Sequence, residues 1–403
     1  MDYLALAIPL FLFFIGLEYV IARYQDRNVF SFEDTASNLS VGFTERLLDI
    51  FISGSSFFIY SYLYNRFALF EIESNILTWL CLLMIADFIW YWYHRLGHQI
   101  NLFWSAHVVH HQSEEFNFSV AARITIFQSF IHVAFWSLLP IIGFKAEIIT
   151  TMLLIHGSYS FFTHTQMVGK LGILELVFVT PSHHRVHHAC NAQYLDKNYG
   201  DILIIWDKIF GTFEEEKEEP VYGLAKQLKS QNFLWQHFHF LAELIYAVKS
   251  APGFSQKFKL IFGKPEKISI DFRNQIEEKL KLKTSSKGTL SNKLKNIIIL
   301  EMVLFGVILV FLVSQSKFLS SYSLVIFCFI YFLSMIHIGG LLSKQNYVFH
   351  IEILRFFLLL LFFASFSFYA FMFFAAFFLF ILPSNFEKLR NIYMTFLIGK
   401  QGI

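Results

Sequence analysis

Residues 76–98, ILTWLCLLMIADFIWYWYHRLGH, decide how the rest of the chain is read. From Ile76 to Tyr93 the only charged residue is Asp87, and the stretch approaches the roughly 20 apolar residues that a helix needs to cross a bilayer. It then runs without a break into His94 and His98. Imidazoles at i and i+4 share one helix face, so their nitrogens can converge on a single ion. A membrane helix that ends in part of a metal site is therefore the starting point.

Elsewhere in the chain, further windows have the length and apolarity of spans: Tyr3 to Ala22, Leu47 to Tyr64, Ile124 to Gly143, Ile148 to Met167, Ile297 to Val313, Tyr322 to Leu342 and Phe356 to Leu382. The fourth and fifth windows in the chain are separated by a short turn and read as a hairpin. The last is long enough for a strongly tilted span or a short hairpin. Composition agrees, because hydrophobic residues make up 56% of the 403 positions, charged residues 15%, and Phe occurs 52 times, mostly in runs. Asp2 precedes the first apolar run and no small-residue cleavage site follows it, so it reads as a retained span. The expected fold is an all-α integral membrane protein, a multi-span helical bundle carrying a cytoplasmic histidine-rich di-metal cap.

Four regions follow: N-terminal transmembrane helices at 1–75, a catalytic unit at 76–225, an extramembrane segment at 226–295 and C-terminal transmembrane helices at 296–403. Lys and Arg concentrate around Arg23 and Arg27, between Lys208 and Lys295, and in the tail with Lys388 and Arg390, which places the histidine-rich segments on the cytoplasmic side. The net charge of +2 gives no reason to expect a nucleic-acid partner. Cys81, Cys190 and Cys328 lie far apart and imply neither a disulfide framework nor a cysteine metal site.

Of the 16 histidines, those at 94, 98, 107, 110, 111, 132, 156, 164, 183, 184, 187 and 188 crowd into a quarter of the chain. His107-Val-Val-His110-His111 and His184-Arg-Val-His187-His188 each supply positions i, i+3 and i+4, and a triplet of that kind spreads its rings toward two neighbouring ions. With His94 and His98 this makes eight imidazoles, too many for one ion that takes three or four protein ligands and keeps an open position. Two ions fit. His164 and His183 are further candidate ligands. His132, His237, His239, His337 and His350 lack a partner at ligand spacing and read as hydrogen-bonded packing residues. Thr180 and Pro181 form a plausible helix start before the third group.

Asp87 lies seven residues before His94, nearly in phase with it, and is expected to accept the ring N–H that a ligating imidazole leaves free. Glu114, Glu115, Asn117 and Arg123 follow the second group and are candidates to orient it.

These three boxes, in this order and with a long gap before the third, resemble the fatty acid hydroxylase / sterol desaturase superfamily of membrane di-iron enzymes. Residues 87–98, 107–117 and 180–188, followed by DKNYG at 196–200 and WDKIFGTF at 206–213, are similar to its alkylglycerol monooxygenase-like branch. The resemblance implies iron as the metal, O2 as oxidant, a lipid substrate drawn from the bilayer, and an electron donor, tetrahydrobiopterin in the animal enzyme or another reductant. It carries the ligand role to His94, His98, His107, His110, His111, His184, His187 and His188. Two departures are Gln99 and Gln166, where the animal enzyme has Glu.

The expected activity is O2-dependent hydroxylation of a lipid C–H bond, with cleavage of alkylglycerol-type ethers as one outcome. Hydroxylation or desaturation of sterol, carotenoid or acyl chains is the competing enzymatic reading. A divalent-metal transporter is the distant one, since its ligands would sit near the bilayer midplane within broken helices.

Overall fold

The structure, a computed structural model, describes residues 3–282, 290–364, 372, 375–376 and 382–398. Among these, every regular element is a helix, and two isolated β-bridges, Phe178 with Leu203 and Ala189 with Tyr222, tie together loops around the third histidine group. Four helices are long and apolar enough to cross a membrane, at Ala7–Tyr24, Ile76–Gln99, Asn292–Gln315 and Ser321–Leu342. A bent pair, Phe32–Ile52 and Gly54–Phe67, meets at 41° and makes a fifth. The chain is thus a multi-pass membrane protein.

The first of these spans belongs to α1 (Tyr3–Tyr24), and the bent pair is α2 (Phe32–Phe67). The sequence window at Leu47 to Tyr64 is only the second part of α2. Its first part carries Glu33, Asp34, Ser37, Asn38, Thr44 and Glu45, all buried against protein rather than exposed to lipid, which is why hydropathy misses it. Helix α3 (Ile76–Gln99) starts where the Asn75 side chain accepts the Thr78 N–H at 3.0 Å, and it continues through both histidines of the first box. Ile100 interrupts it, and α4 (Asn101–His107) follows at once.

The window at Ile124 to Gly143 differs from expectation. It is divided into α5 (Ile126–Trp136) and α6 (Leu138–Ile142), because Pro140 has no N–H to extend the helical ladder of α5. Gly143, at φ +130°, then reverses the chain, and a Cβ there would lie 2.1 Å from the Phe70 carbonyl oxygen. The return arm is α7 (Ala146–Thr163), and α8 (Pro181–His188) and α9 (Ile205–Phe210) follow.

Between residues 226 and 282 lie α10 (Phe233–Ser250), α11 (Phe254–Ile261) and α12 (Ile270–Leu280). Beyond it lie α13 (Asn292–Gln315), α14 (Ser321–Leu342), α15 (Val348–Ala364) and α16 (Leu382–Ile398). Most of the window at Phe356 to Leu382 lies outside the described residues.

Two apolar cores frame the site. In one, Leu82, Ala86 and Ile89 of α3 pack on Trp136, Leu139, Ile149 and Met152. In the other, Phe233, Phe240 and Leu244 of α10 share a core with Leu294 and Ile298 of α13 and with Met335 and Ile338 of α14. Val108 and Val109 of the second histidine box insert into that second core. The histidine-bearing helix ends therefore meet between the two packed bodies, held from both sides by apolar burial.

Candidate metal centre

Two adjacent sets of inward-facing imidazoles form at this meeting point. One contains His94, His98, His107, His111 and His187, the other His110, His164, His184 and His188; within each set the ligand atoms lie within 4.8 Å of one another. The i, i+3, i+4 triplets split as their geometry requires. After α4 ends at His107, the turn through Val108 and Val109 carries His110 to the second set and His111 back to the first. On α8, His184 and His188 share one face and His187 points to the other set. The rings of His111 and His188 stack at 4.3 Å across the boundary between the sets.

Ring nitrogens approach closely. His94 Nε2 lies 3.1 Å from His107 Nε2, which lies 3.1 Å from His111 Nε2. In the second set His164 Nε2 lies 3.2 Å from His110 Nε2 and 3.0 Å from His184 Nε2. Nitrogens bound at ~2.1 Å to a shared ion sit roughly 3 Å apart, so the spacing is that of a ligand cage.

The tautomers support the same conclusion. His110 Nδ1 donates to the Arg123 carbonyl at 3.3 Å and His164 Nδ1 to the Ser160 carbonyl at 2.7 Å. Each ring's remaining nitrogen then carries a lone pair, and two lone pairs facing each other repel unless a cation lies between them. In the first set His94 Nδ1 donates to the Tyr199 carbonyl and His187 Nδ1 to the Lys197 carbonyl, both at 2.9 Å. The Nε2 atoms of His98, His187 and His188 are buried without a hydrogen-bond partner among the described residues. Burial pushes the His107, His110, His111, His184, His187 and His188 rings well below the ordinary imidazole range, leaving neutral, ligating forms. The donor set fits transition-metal ions on its own geometry.

His164, a candidate from sequence, thus joins the second set from the end of α7. His183 does not join either set. Its Nδ1 accepts the Thr180 N–H at 3.3 Å, so it closes the first turn of α8 and its ring packs on Phe213 at 5.6 Å.

Asp87 also differs from expectation. His94 finds a backbone carbonyl instead, and Asp87 accepts the Ile202 N–H at 2.9 Å, the Leu203 N–H at 3.1 Å and the Trp206 Nε1–H at 3.0 Å. Its neighbour His156 bonds Asp201 at 2.6 Å. Asn117 hydrogen-bonds no imidazole among the described residues: its amide donates to the Val29 carbonyl at 2.6 Å and accepts from the Ser119 N–H, fixing the chain after the second box. Arg123, fully enclosed, donates through Nε to the Val109 carbonyl at 2.8 Å and through its terminal nitrogens to Asn38 and Gln112.

What sequence reading missed is the strap from Asp196 to Leu203, whose Lys197 and Tyr199 carbonyls orient one ring from each of two boxes. Asp207, wholly buried, holds the strap by accepting the Tyr199 N–H, the Gly200 N–H and the Thr212 hydroxyl, each at 2.7 Å. Asn198, at φ +54°, donates to the His183 and Glu214 carbonyls at 3.1 and 2.8 Å. A Cβ on Gly200 would lie 2.6 Å from the Leu203 carbonyl oxygen. The signal was present in the DKNYG and WDKIFGTF segments, but backbone acceptors leave no mark on side-chain identity. The acidic run is likewise folded in: Glu216 pairs with Arg185 at 2.6 Å and Glu215 with Lys170 at 2.7 Å.

Comparison with known proteins follows the same boundaries. Residues 79–212 match the family model described as Fatty acid hydroxylase, and all nine clustered histidines fall within them. That stretch, about a third of the chain, is similar to the fatty acid hydroxylase family. The chain is 36% identical over 266 residues to the alkylglycerol monooxygenase of Homo sapiens, covering 66% of this chain and 60% of that protein. It is 35% identical over 269 residues to the alkylglycerol monooxygenase of Danio rerio, covering 65% and 59%. It is also 30% identical over 132 residues to the ornithine lipid hydroxylase OlsE of Rhizobium tropici, covering 32% and 40%. The chain spans about three-fifths of the length of the first of these relatives. No solved structure matches.

Proposed function

We propose that the chain is a membrane monooxygenase that binds two iron ions in the two imidazole sets and uses O2 to hydroxylate a lipid C–H bond, with an alkylglycerol-type ether as substrate. The single observation that carries this reading is the pair of adjacent cages with lone pairs turned inward. The eight boxed histidines and His164 are the ligands, divided five and four. The similarity to two alkylglycerol monooxygenases supports the choice of substrate.

Iron ions, when bound, supply the redox chemistry that an unactivated C–H bond demands and that side-chain acids and bases do not reach. The protein holds the rings neutral by burial and fixes their direction through Nδ1–H bonds to the carbonyls of Lys197, Tyr199, Arg123 and Ser160. The cages lie at helix ends, where α3, α4, α7 and α8 stop, rather than in broken mid-span helices, which favours an enzyme over a transporter. The working division keeps 1–75 and 296–403 as membrane helices, 76–225 as the catalytic unit and 226–295 as its cytoplasmic cover. Hydroxylation beside an ether oxygen leaves a hemiacetal that separates into an aldehyde and an alcohol. Two electrons per turnover come from an external donor, tetrahydrobiopterin or another reductant.

A second reading, hydroxylation of a polar lipid without cleavage, is favoured by the similarity to the ornithine lipid hydroxylase. The test is metal analysis of the purified chain with product analysis under O2. Two irons per chain and a fatty aldehyde from an alkylglycerol support the first reading, and a hydroxylated lipid of unchanged carbon count supports the second. Readily exchanging zinc with no oxygen uptake refutes both.

A further inference from the structure

Helix α11 presents an apolar stripe to the outside of a segment whose composition is that of a water-soluble one. Phe254, Phe258 and Phe262 recur at four-residue spacing and are 82%, 52% and 46% exposed. Their rings touch in sequence, at 6.3 and 4.6 Å between centroids. At 100° per residue, Lys257 and Lys259 fall on either side of this stripe, while Leu260 faces the protein, where it packs against the larger core. Between positions 249 and 267 the chain holds five lysines (249, 257, 259, 264 and 267) against one acid, Glu266. Lys257, Lys259, Lys264 and Lys267 make no ion pair among the described residues.

The height of α11 is fixed. Asn101, wholly buried and two residues beyond the end of the α3 span, donates through its backbone N–H to the Gly263 carbonyl at 2.8 Å and through its side chain to the Leu260 carbonyl at 2.7 Å. The helix is therefore clamped where a membrane span emerges.

From these observations we propose that α11 lies in the membrane interface, with Phe254, Phe258 and Phe262 among the acyl chains and the flanking lysines on anionic lipid headgroups. A helix with phenylalanine on one face and lysine at its borders suits that boundary, since the rings leave water while the long lysine stems carry their charge up to the phosphates. A soluble protein partner would have to reach a stripe held at the level of the bilayer. The clamp through Asn101 also means that α11 and α4, which carries His107, share one anchor. Seating α11 in the interface thus sets the depth of the second histidine box, independently of which metal it holds.

The experiment uses the full chain in lipid nanodiscs, with a nitroxide-bearing amino acid placed in turn at 254, 258 and 262, and at 266 as a water-facing control. Collision rates with O2, which partitions into lipid, are compared with those of a water-soluble nickel chelate. O2 collisions several-fold more frequent than nickel collisions at the three phenylalanine positions, and the reverse at 266, are expected. Nickel-dominated relaxation at 258 overturns the proposal. So does low access to both reagents together with spin–spin broadening, which identifies a second copy of the chain as the occupant. In a second arm, the label at 258 is measured in phosphatidylcholine discs and in discs of equal parts phosphatidylcholine and phosphatidylglycerol. Greater depth in the anionic discs is expected, and the difference is expected to vanish in the Lys257→Gln, Lys259→Gln, Lys264→Gln variant; equal depth in both lipids for the unsubstituted lysines overturns the headgroup assignment.

Discussion

Asp207→Asn separates the two cages. Its carboxylate receives three donors, from Tyr199, Gly200 and Thr212, and has no exposed surface, so both oxygens must accept. An amide supplies one oxygen and one NH2. Whichever way it turns, at least one buried donor then faces another donor. Losing a hydrogen bond to a charged acceptor costs about 1.5–3 kcal/mol, and the stranded donor adds about 1–3 kcal/mol. Much of that cost is relieved if the strap shifts, and the strap carries the carbonyls that orient His94 and His187. About 1.4–2.8 kcal/mol passed to those rings is a loss of roughly ten- to a hundredfold in metal affinity, the range typical of removing an outer partner of a ligating histidine.

Both rings belong to the five-histidine set. His110 and His164, in the four-histidine set, turn to the Arg123 and Ser160 carbonyls, which lie outside the strap; Asp201 of the strap reaches the Ser160 side chain, but Asp207 bonds neither residue among the described residues. Anaerobic ferrous titration followed by Mössbauer spectroscopy is therefore expected to show two tightly held ions in the unsubstituted chain and one tight plus one weak ion in Asp207→Asn. Two ions at unchanged affinity, or equal weakening of both, would refute the strap's role while leaving the metal centre itself intact.

His164→Ala is expected to lower iron content and remove turnover, whereas His183→Ala, which loses a helix-start contact and the ring's packing on Phe213, should keep its iron and lose about 1–2 kcal/mol of stability; metal analysis and thermal melting check both. Val109→Ala should cost about 2 kcal/mol through lost burial in the larger core and, because its turn feeds both cages, weaken the two ions together in the same titration. The metal-free chain should also lose stability in mild acid. Burial keeps the six extramembrane box histidines neutral in the fold, while the same side chains in the unfolded chain take up protons below about pH 6.5, so the unfolded state gains protons and is favoured as pH falls. Melting of the apo chain at about pH 7.5 and about pH 5.5 checks this, and an equal or higher midpoint at the lower pH contradicts it.

Much of the site was legible because ligand chemistry is written in side chains at helical spacing. His94 with His98, and the two triplets, needed only the α-helical period to be sorted onto shared faces. His164 was less visible, since a single imidazole carries no spacing signal and joins its set only through the hairpin that returns α7 to α8. Hydropathy found α1, α3, α13 and α14 because those helices bury little polar surface. It misjudged α2, whose acidic and amide residues are enclosed by protein, and it joined α5 to α6 across the break at Ser137. The role given to Asp87 failed for a different reason. Helical phase placed it correctly below His94, but nothing in the sequence announces that the Tyr199 carbonyl reaches that ring first.

The same contrast explains why the two cages are built unequally. The four-histidine set is oriented by carbonyls of Arg123 and Ser160, close in sequence to His110 and His164, so local folding nearly completes it. The five-histidine set depends on a strap that belongs to no helix and is anchored by the buried side chains of Asp207, Asn198 and Asp87, besides backbone bonds to Val179 and Thr212 and the pair of Asp201 with His156. Asp207, Asn198 and Asp87, none of which hydrogen-bonds a ligand ring among the described residues, thereby steady two ligands in separate boxes. Such an arrangement concentrates sensitivity in one cage, because a change at Asp207 or Asn198 tilts His94 and His187 together, whereas it is Asp201, through His156 and Ser160, that links the strap to the helix that supports His164.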